Sequence, residues 1–288
     1  MIDTIVKNAI QDEFDTEITS TTAVSGGDIN KAAKCRLNNG KTVFVKYHKN
    51  APENMFQAEA KGLELLRKHA PEDVLVPEVL SQPDKKSEAL VLEWIETGSS
   101  DQTTHEKLGR GLAHIHKTTQ SNFGLDHDNF IGKLHQSNSE HATWSDFFFQ
   151  ERLEPQIRLA IDSGLLTKKE MNLAEHISSK LDSIYPCEPA ALLHGDLWGG
   201  NYMVEQSGKP VLIDPAVYFG HREMDIAFTE LFGRFPRAFY QAYEEHYPLQ
   251  PGFEERKDIS NLYPILVHTN LFGGHYARQA KSMLQKFA

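Results

Sequence analysis

The chain has 288 residues, 40% of them hydrophobic and 24% charged, a globular composition long enough that two lobes meeting at a cleft are expected rather than one compact core. A formal net charge of −10 without any Lys/Arg stripe excludes a nucleic-acid partner. No apolar run approaches a membrane span and charges interrupt the first fourteen positions, so no membrane contact and a cytoplasmic location are expected.

In chain order, Ile5, Ala9, Ile10 and Phe14 form an apolar stripe at helical spacing. β-branched runs follow between Glu17 and His48, broken at Gly26-Gly27 and at Asn39-Gly40. Cys35 in this region and Cys187 further on are too few for a disulfide scaffold or zinc knuckle, and both read as reduced structural thiols. A two-residue turn at Asn39-Gly40 pairs residues whose numbers sum to about 79, which sets Lys46 opposite Ala33. Residues 50–70 are predicted as a helix opened by Pro52 near its first turn. Met55, Glu59, Gly62, Leu63 and Leu66 share one face of it, so a carboxylate lies in the core-facing stripe and needs a partner. "VLVPEVL" (74–80) and "EALVLEWIE" (88–96) read as strands and "TGSS" (97–100) as a linker. The lobe boundary therefore falls near residues 93–98, dividing 1–92 from 99–288.

Beyond the boundary, helical spacing dominates in 101–119, 143–164, 168–184, 223–235, 236–247 and 259–287. One β hairpin, "YMVEQSGKPVLID" (202–214), interrupts it. A turn at Gln206 to Lys209 gives a pairing sum of about 415 and places Asn201 against Asp214. A carboxylate beside an amide oxygen suits Mg²⁺, which takes few protein ligands and completes its shell with water and phosphates. Asp196 precedes Asn201 at the D-x4-N spacing of phosphotransferase loops, in position to accept a proton from an attacking hydroxyl.

Gly26-Gly27 can bring backbone N–H groups to phosphates, Lys46 can neutralise them, and Glu59 is the partner that holds Lys46. Each feature alone has a plainer reading, as a turn, a snorkelling lysine or a solvated helix face. Their order along the chain is that of an ATP phosphotransferase of the protein-kinase-like fold. The expected class is α+β and bilobal, a β-rich N-lobe with one main helix and a mostly helical C-lobe carrying the hairpin.

"LLHGDLWGGN" (192–201), "IDPAVYFGHREMDIAFTELFG" (213–233) and "NLYPILVHTNLFGGHY" (261–276) together resemble the fructosamine kinase, or ketosamine-3-kinase, family, in the aminoglycoside-phosphotransferase-like branch of that fold. "GGDIN" (26–30), "DNFIGKLHQSN" (128–138) and "TWSDFF" (143–148) extend the resemblance over nearly the whole chain. It implies ATP- and Mg²⁺-dependent phosphorylation of the 3-hydroxyl of ribulosamine, erythrulosamine or fructosamine adducts on amines and protein lysines, leading to deglycation. The resemblance makes Asp196 the base, Asn201 and Asp214 the metal ligands, Lys46 and Glu59 the phosphate lysine and its partner. Gly26, Gly27 and Asp28 become the phosphate loop, and the Glu93-Trp94-Ile95 backbone the adenine edge, with Leu92 ending the strand. Some relatives carry a redox-linked cysteine after Gly-Gly; Asp28 stands there and predicts no such switch.

Pro215 is expected to bias Asp214 toward extended backbone, and ten residues between Asp214 and Asp225 leave no room for a long activation segment. His194 should shape the turn before the base. Trp198 is either a wall under the loop or a flat face for the acceptor. Asp225 is expected to brace the loop, while His221 and Arg222 meet phosphate or a buried acid. His114 and His116, at i and i+2, do not share a helix face and so hold no metal. The alternatives are an aminoglycoside- or choline-type kinase of the same fold and a non-catalytic nucleotide-binding pseudokinase.

Overall fold

The computed structural model describes residues 3–24 and 30–287. Helix α1 (Thr4–Phe14) is capped by the Asp3 carboxylate, which accepts from the Ile5 amide. It lies on a four-stranded antiparallel sheet in the order β1 (Ile18–Val24), β2 (Lys31–Leu37), β3 (Thr42–Tyr47), β4 (Ala89–Glu93). Period-two alternation divides this sheet into two faces. Ala33, Cys35, Val43, Val45 and Val91 bury Val6 and Ile10 of α1, while Leu90 and Leu92 join Phe56, Leu63 and Leu66 of α2 (Met55–His69) in the larger core. That core continues through the helices that follow, so the small sheet and the helical part meet across packed apolar surface.

The helical part begins with α3 (Gln102–His116), opened by an Asp101/Thr104 capping box. Short strands β5 (Thr119–Gln120), β6 (Asn129–Ile131) and β7 (Leu134–Gln136) follow. Next come α4 (Trp144–Phe147), a π-helical segment (Phe148–Leu153), α5 (Glu154–Asp162), α6 (Lys168–Ser178) and α7 (Leu181–Ile184). Strands β8 (Ala190–Leu193), β9 (Tyr202–Val204), β10 (Pro210–Leu212) and β11 (Tyr218–Gly220) precede α8 (Glu223–Leu231), α9 (Arg237–His246), α10 (Phe253–Ser260), α11 (Leu262–Phe272) and α12 (His275–Phe287). Among the described residues no helix is long and apolar enough to cross a membrane.

Several expectations shift by small amounts for identifiable reasons. In the first hairpin Lys46 pairs with Ala32, not Ala33, and in the second Ile213 rather than Asp214 stands against Asn201, its amide donating to the Asn201 carbonyl at 3.1 Å. Both connections are three-residue loops ending in a left-handed glycine, Gly40 and Gly208, each with φ +83°. A three-residue loop with that bulge moves the register by one relative to a two-residue turn. Helix α2 starts at Met55, not at Pro52, because Pro52 to Asn54 form a turn in which Met55 N–H donates to the Pro52 carbonyl. Residues 74–80 make only isolated bridges, Leu75 to Val211 and Val79 to Leu92; Pro77 between them has no N–H to continue a ladder.

The helical part also holds more β structure than one hairpin: β11-β8-β5 form a three-stranded sheet and β6-β7 a second hairpin. Residues 143–164 are not one α-helix. Pro155 leaves the Glu151 carbonyl without its helical donor, the Arg152 guanidinium fills that place at 3.0 Å, and the ladder widens so that Glu154 N–H reaches Phe149. The stretch 259–287 breaks at Asn261 and again at the positive-φ pair Gly273-Gly274. Of the two thiols, Cys35 is buried and Cys187 exposed, so Cys187 is not the structural residue expected.

Candidate active site

Alternation on β3 puts Lys46 on the same face as Phe44, opposite Leu90 and Leu92 of β4. Its Nζ lies 2.8 Å from Glu59 Oε1 and 3.1 Å from Asp214 Oδ1. Burial works against the ammonium, but the Asp214 and Glu59 carboxylates overcome it and push the Lys46 pKa above its ordinary value. Burial pushes Glu59 upward as well, opposed by Lys46. The core-stripe carboxylate thus finds its partner on the sheet face that α2 covers.

Asp214 departs from the extended backbone expected before Pro215 and has φ +52°. The chain must leave β10, whose next residue Ile213 is tied to Asn201, and reverse within two residues so that Ala216 N–H reaches the His194 carbonyl at 2.9 Å. Aspartate tolerates this left-handed turn better than most side chains, and the result aims the carboxylate at Lys46.

The loop after β8 is held from below. Gly195 has φ +82°, and a Cβ there would collide with the Ala216 carbonyl. Asp225, in the first turn of α8, accepts from His194 N–H at 2.7 Å and Gly195 N–H at 2.9 Å. His116 Nε2 stands 3.2 Å from the same carboxylate, while its Nδ1 is 2.8 Å from the Tyr243 hydroxyl. Burial alone would raise the Asp225 pKa, but the bond from His116 and the loop amide keep it below the usual range. His194 is held neutral by burial; its Nε2 lies 3.0 Å from the Ile213 carbonyl and its Nδ1 accepts from Asp196 N–H at 3.3 Å.

Asp196 emerges from this braced loop half-buried. Asn201 Nδ2 donates to its Oδ2 and to its main-chain carbonyl, both at 2.8 Å. Burial raises the Asp196 pKa well above the carboxylate range, and the charges of Asp214 and Asp225 add to the effect against Asn201 and Lys46. Among the described residues no three His, Cys, Asp or Glu side chains gather into a protein metal cage. Asp214, with its carboxylate 44% exposed, and the Asn201 amide are hard oxygen donors that fit a magnesium ion shared with phosphates.

At the edge of the cleft β4 runs through Glu93, one residue further than expected. The Glu93 amide donates to the Glu78 carbonyl at 3.0 Å, and no hydrogen bond among the described residues takes the Ile95 amide. Lys34 Nζ lies 4.1 Å from the Trp94 ring centre and 3.0 Å from Glu96 Oε1. The 97–100 segment is not a free linker, since Gly98 N–H donates to the Val204 carbonyl and Thr97 bridges Glu205. Gly26, Gly27 and Asp28 lie outside the described residues.

Trp198 is 37% exposed and meets Phe232 edge-on at 6.3 Å, and Phe232 packs on His268 at 4.5 Å. His221 and Arg222 are not in the cleft. Arg222 forks onto Glu188 at 2.7 and 2.8 Å and donates to the Tyr247 and Pro248 carbonyls. His221, kept neutral by burial, sits 3.3 Å from the Pro186 carbonyl. Of the two partners left open for this pair, the structure supplies the buried acid.

Sequence reasoning passed over Tyr243, Phe44 and Arg152, and weighed His116 only as a metal ligand. A histidine at a buried helical position needs a polar partner, and that signal was available for His116. Arg152 is fully buried, donates to the Ser137 carbonyl and Asn138 Oδ1, and lies 4.0 Å from the Tyr218 ring centre. Asn138 leads through Asn129 and Gln136 to the Ala216 and Val217 carbonyls and to the Tyr263 hydroxyl. This buried network supports the segment directly after Asp214.

A sequence model of the family described as Fructosamine kinase matches residues 1–288. The chain is 40% identical over 266 residues to a probable ketoamine kinase of Synechocystis sp., covering 92% of this chain and 88% of that protein. It is 34% identical over 279 residues to the chloroplastic protein-ribulosamine 3-kinase of Arabidopsis thaliana, covering 94% and 83%. A solved structure from Thermobifida fusca, provisionally named a fructosamine-3-kinase, superposes with TM-score 0.86 at 32% identity over 97% of this chain and 98% of that one. The fold alone is shared with the choline kinase LicA of Streptococcus pneumoniae, at TM-score 0.63, 17% identity and 98% coverage of both chains. The architecture is thus the bilobal protein-kinase-like α+β fold, and the chain belongs to the fructosamine kinase family.

Proposed function

We propose that the protein is an ATP-dependent kinase that phosphorylates the 3-hydroxyl of ketosamines, the ribulosamine, erythrulosamine or fructosamine adducts of amines and protein lysines. The observation that carries this reading is the convergence of Lys46, held by Glu59 and Asp214, on a cleft whose opposite side presents Asp196 on a braced loop. The names of the relatives support the substrate class: ketoamines for the cyanobacterial protein, ribulosamine and position 3 for the plant protein.

In this reading residues 1–92 form the ATP-binding lobe, 93–98 the hinge and 99–288 the catalytic and substrate lobe. The Glu93 carbonyl and Ile95 amide take the adenine edge beside Trp94, with Phe44 on the sheet face above. Gly26, Gly27 and Asp28 close over the phosphates, and Lys46 neutralises them while Glu59 fixes its position. Asp214 and Asn201 hold Mg²⁺, which when bound neutralises charge building on the phosphates. The substrate O3–H gives its proton to the Asp196 carboxylate as the oxygen bonds the γ-phosphorus and the bond to the ADP oxygen breaks. A carboxylate pKa raised by burial and like charges suits that base better than an ordinary one. His194 and Asp225 keep the base at its station, and Trp198 walls the acceptor side.

An ATP-consumption assay with ribulosyl-, erythrulosyl- and fructosyl-lysine beside an aminoglycoside and choline tests the reading. Turnover of one or more ketosamines is expected. Turnover confined to the aminoglycoside or choline would replace the substrate class, and nucleotide binding without any turnover would leave a pseudokinase.

A further inference from the structure

A cavity of about 180 Å³ that shares no residue with the cleft opens where the turn at 71–73 meets α3 and the end of α9. Lys107, Arg110, His114 and Lys117 line it from α3 and the residue after it, and His246 closes it from α9. The spacings of three, four and three keep these α3 side chains on one helix face. Against them stands a single lining carboxylate, Asp73. Among the described residues neither Lys107 nor Lys117 has an ion-pair partner, and Arg110 has only Glu106 at 4.0 Å, the outer limit of an ion pair. Counting Glu106 and Asp73 against Lys107, Arg110 and Lys117 leaves a positive remainder, on a chain whose net charge is −10.

The hydrogen-bonding capacity has the same character. His246 Nδ1–H donates to the Ala242 carbonyl at 2.9 Å, so this ring frames the cavity and the donors facing it belong to the lysines and Arg110. Lys117 Nζ is 5.8 Å from the Tyr247 ring centre. Two lysines and an arginine lining one concave site supply point charges and a directed guanidinium fork together, a combination that matches a tetrahedral oxyanion. The turn that forms one wall continues into Leu75, which exchanges hydrogen bonds of 2.9 Å with Pro210 and Leu212 on β10.

We propose that this cavity is a second anion site, taking a phosphate-class dianion, either inorganic phosphate or the phosphomonoester group of a small metabolite. The proposal stands apart from the kinase reading, since none of its residues belongs to the cleft.

The test is an NMR titration of the full chain, following the imidazole C–H signals of His114 and His246, with inorganic phosphate and with ribose 5-phosphate at constant ionic strength. Both signals are expected to move together and saturate. In the Lys107→Gln/Lys117→Gln double variant, and independently in Arg110→Gln, affinity is expected to fall about tenfold, the loss of one or two charge-assisted contacts. Melting temperatures without phosphate confirm that the variants fold. Tighter binding of ribose 5-phosphate identifies a phosphomonoester as the ligand, and equal binding identifies phosphate itself. Shifts that rise linearly without saturating, that chloride reproduces, or that persist unchanged in both variants would overturn the site. Because the readout is local to the two histidines, its failure leaves the assignment of the cleft untouched.

Discussion

Asp225 has no catalytic atom to offer, yet the loop that carries Asp196 hangs on it. Its two oxygens take the His194 and Gly195 amides and face His116, which in turn leans on Tyr243. Substituting His116→Ala leaves a buried carboxylate and a buried hydroxyl short of partners, and should cost about 1–3 kcal/mol in denaturant unfolding. Asp196→Asn is isosteric and keeps the loop, so turnover should fall about 10²-fold or more while Mg-nucleotide affinity is retained. Calorimetric nucleotide binding beside steady-state rates separates the two effects, and unchanged turnover would remove Asp196 as the base. Lys46→Ala should show the opposite pattern, with nucleotide affinity lost first. At this scale the sequence was readable wherever a residue carried a need, as with Glu59, a carboxylate on a core-facing stripe that had to find a cation. At His116 the need was just as readable but its partners were not, because Asp225 and Tyr243 lie more than a hundred positions away.

Elements were legible in proportion to their length. Helices α3, α6 and α8 have several turns of apolar spacing and could be placed by eye. Strands β5, β6 and β7, of two and three residues, complete no more than one period of alternation and leave no pattern to read, whereas the equally short β9 and β10 were legible through the turn between them. The two hairpins fail in the same way, by one residue, because Gly40 and Gly208 each end a three-residue loop. Gly208→Ala puts a Cβ on a left-handed residue and should destabilise the protein by about 1–2 kcal/mol in denaturant melts. A cost near zero would mean the loop relaxes to another turn. Residues 143–164 show a subtler limit. The apolar period persists through the π-helical segment, and only the pairing of Pro155 with a buried Arg152 reveals why the ladder widens there.

Across the whole molecule the α+β bilobal fold followed from the change of period near residue 93, and the similarity to solved kinases of this fold bears it out. Stability of the helical part rests on ionised carboxylates held in buried positions. Burial would raise Glu188, but the Arg222 fork brings it below the ordinary range, and Asp225 is likewise depressed. A depressed folded pKa gives stability that is complete above the unfolded value, about 4 for these groups, and lost as pH falls through the folded value. Acid unfolding is therefore expected to set in below about pH 4, and Glu188→Gln should flatten that acid limb, checked by melting temperature against pH. The β11-β8-β5 sheet has one more consequence, for motion rather than energy. Leu192 N–H is closed onto Thr118, Phe219 N–H onto Gly124, and Ala216 N–H onto His194, so the chain on either side of Asp196 and Asp214 is stitched into a single ladder. In hydrogen–deuterium exchange these amides should open only with global unfolding, so that the two acids travel as one rigid body and opening of the cleft falls to the small lobe.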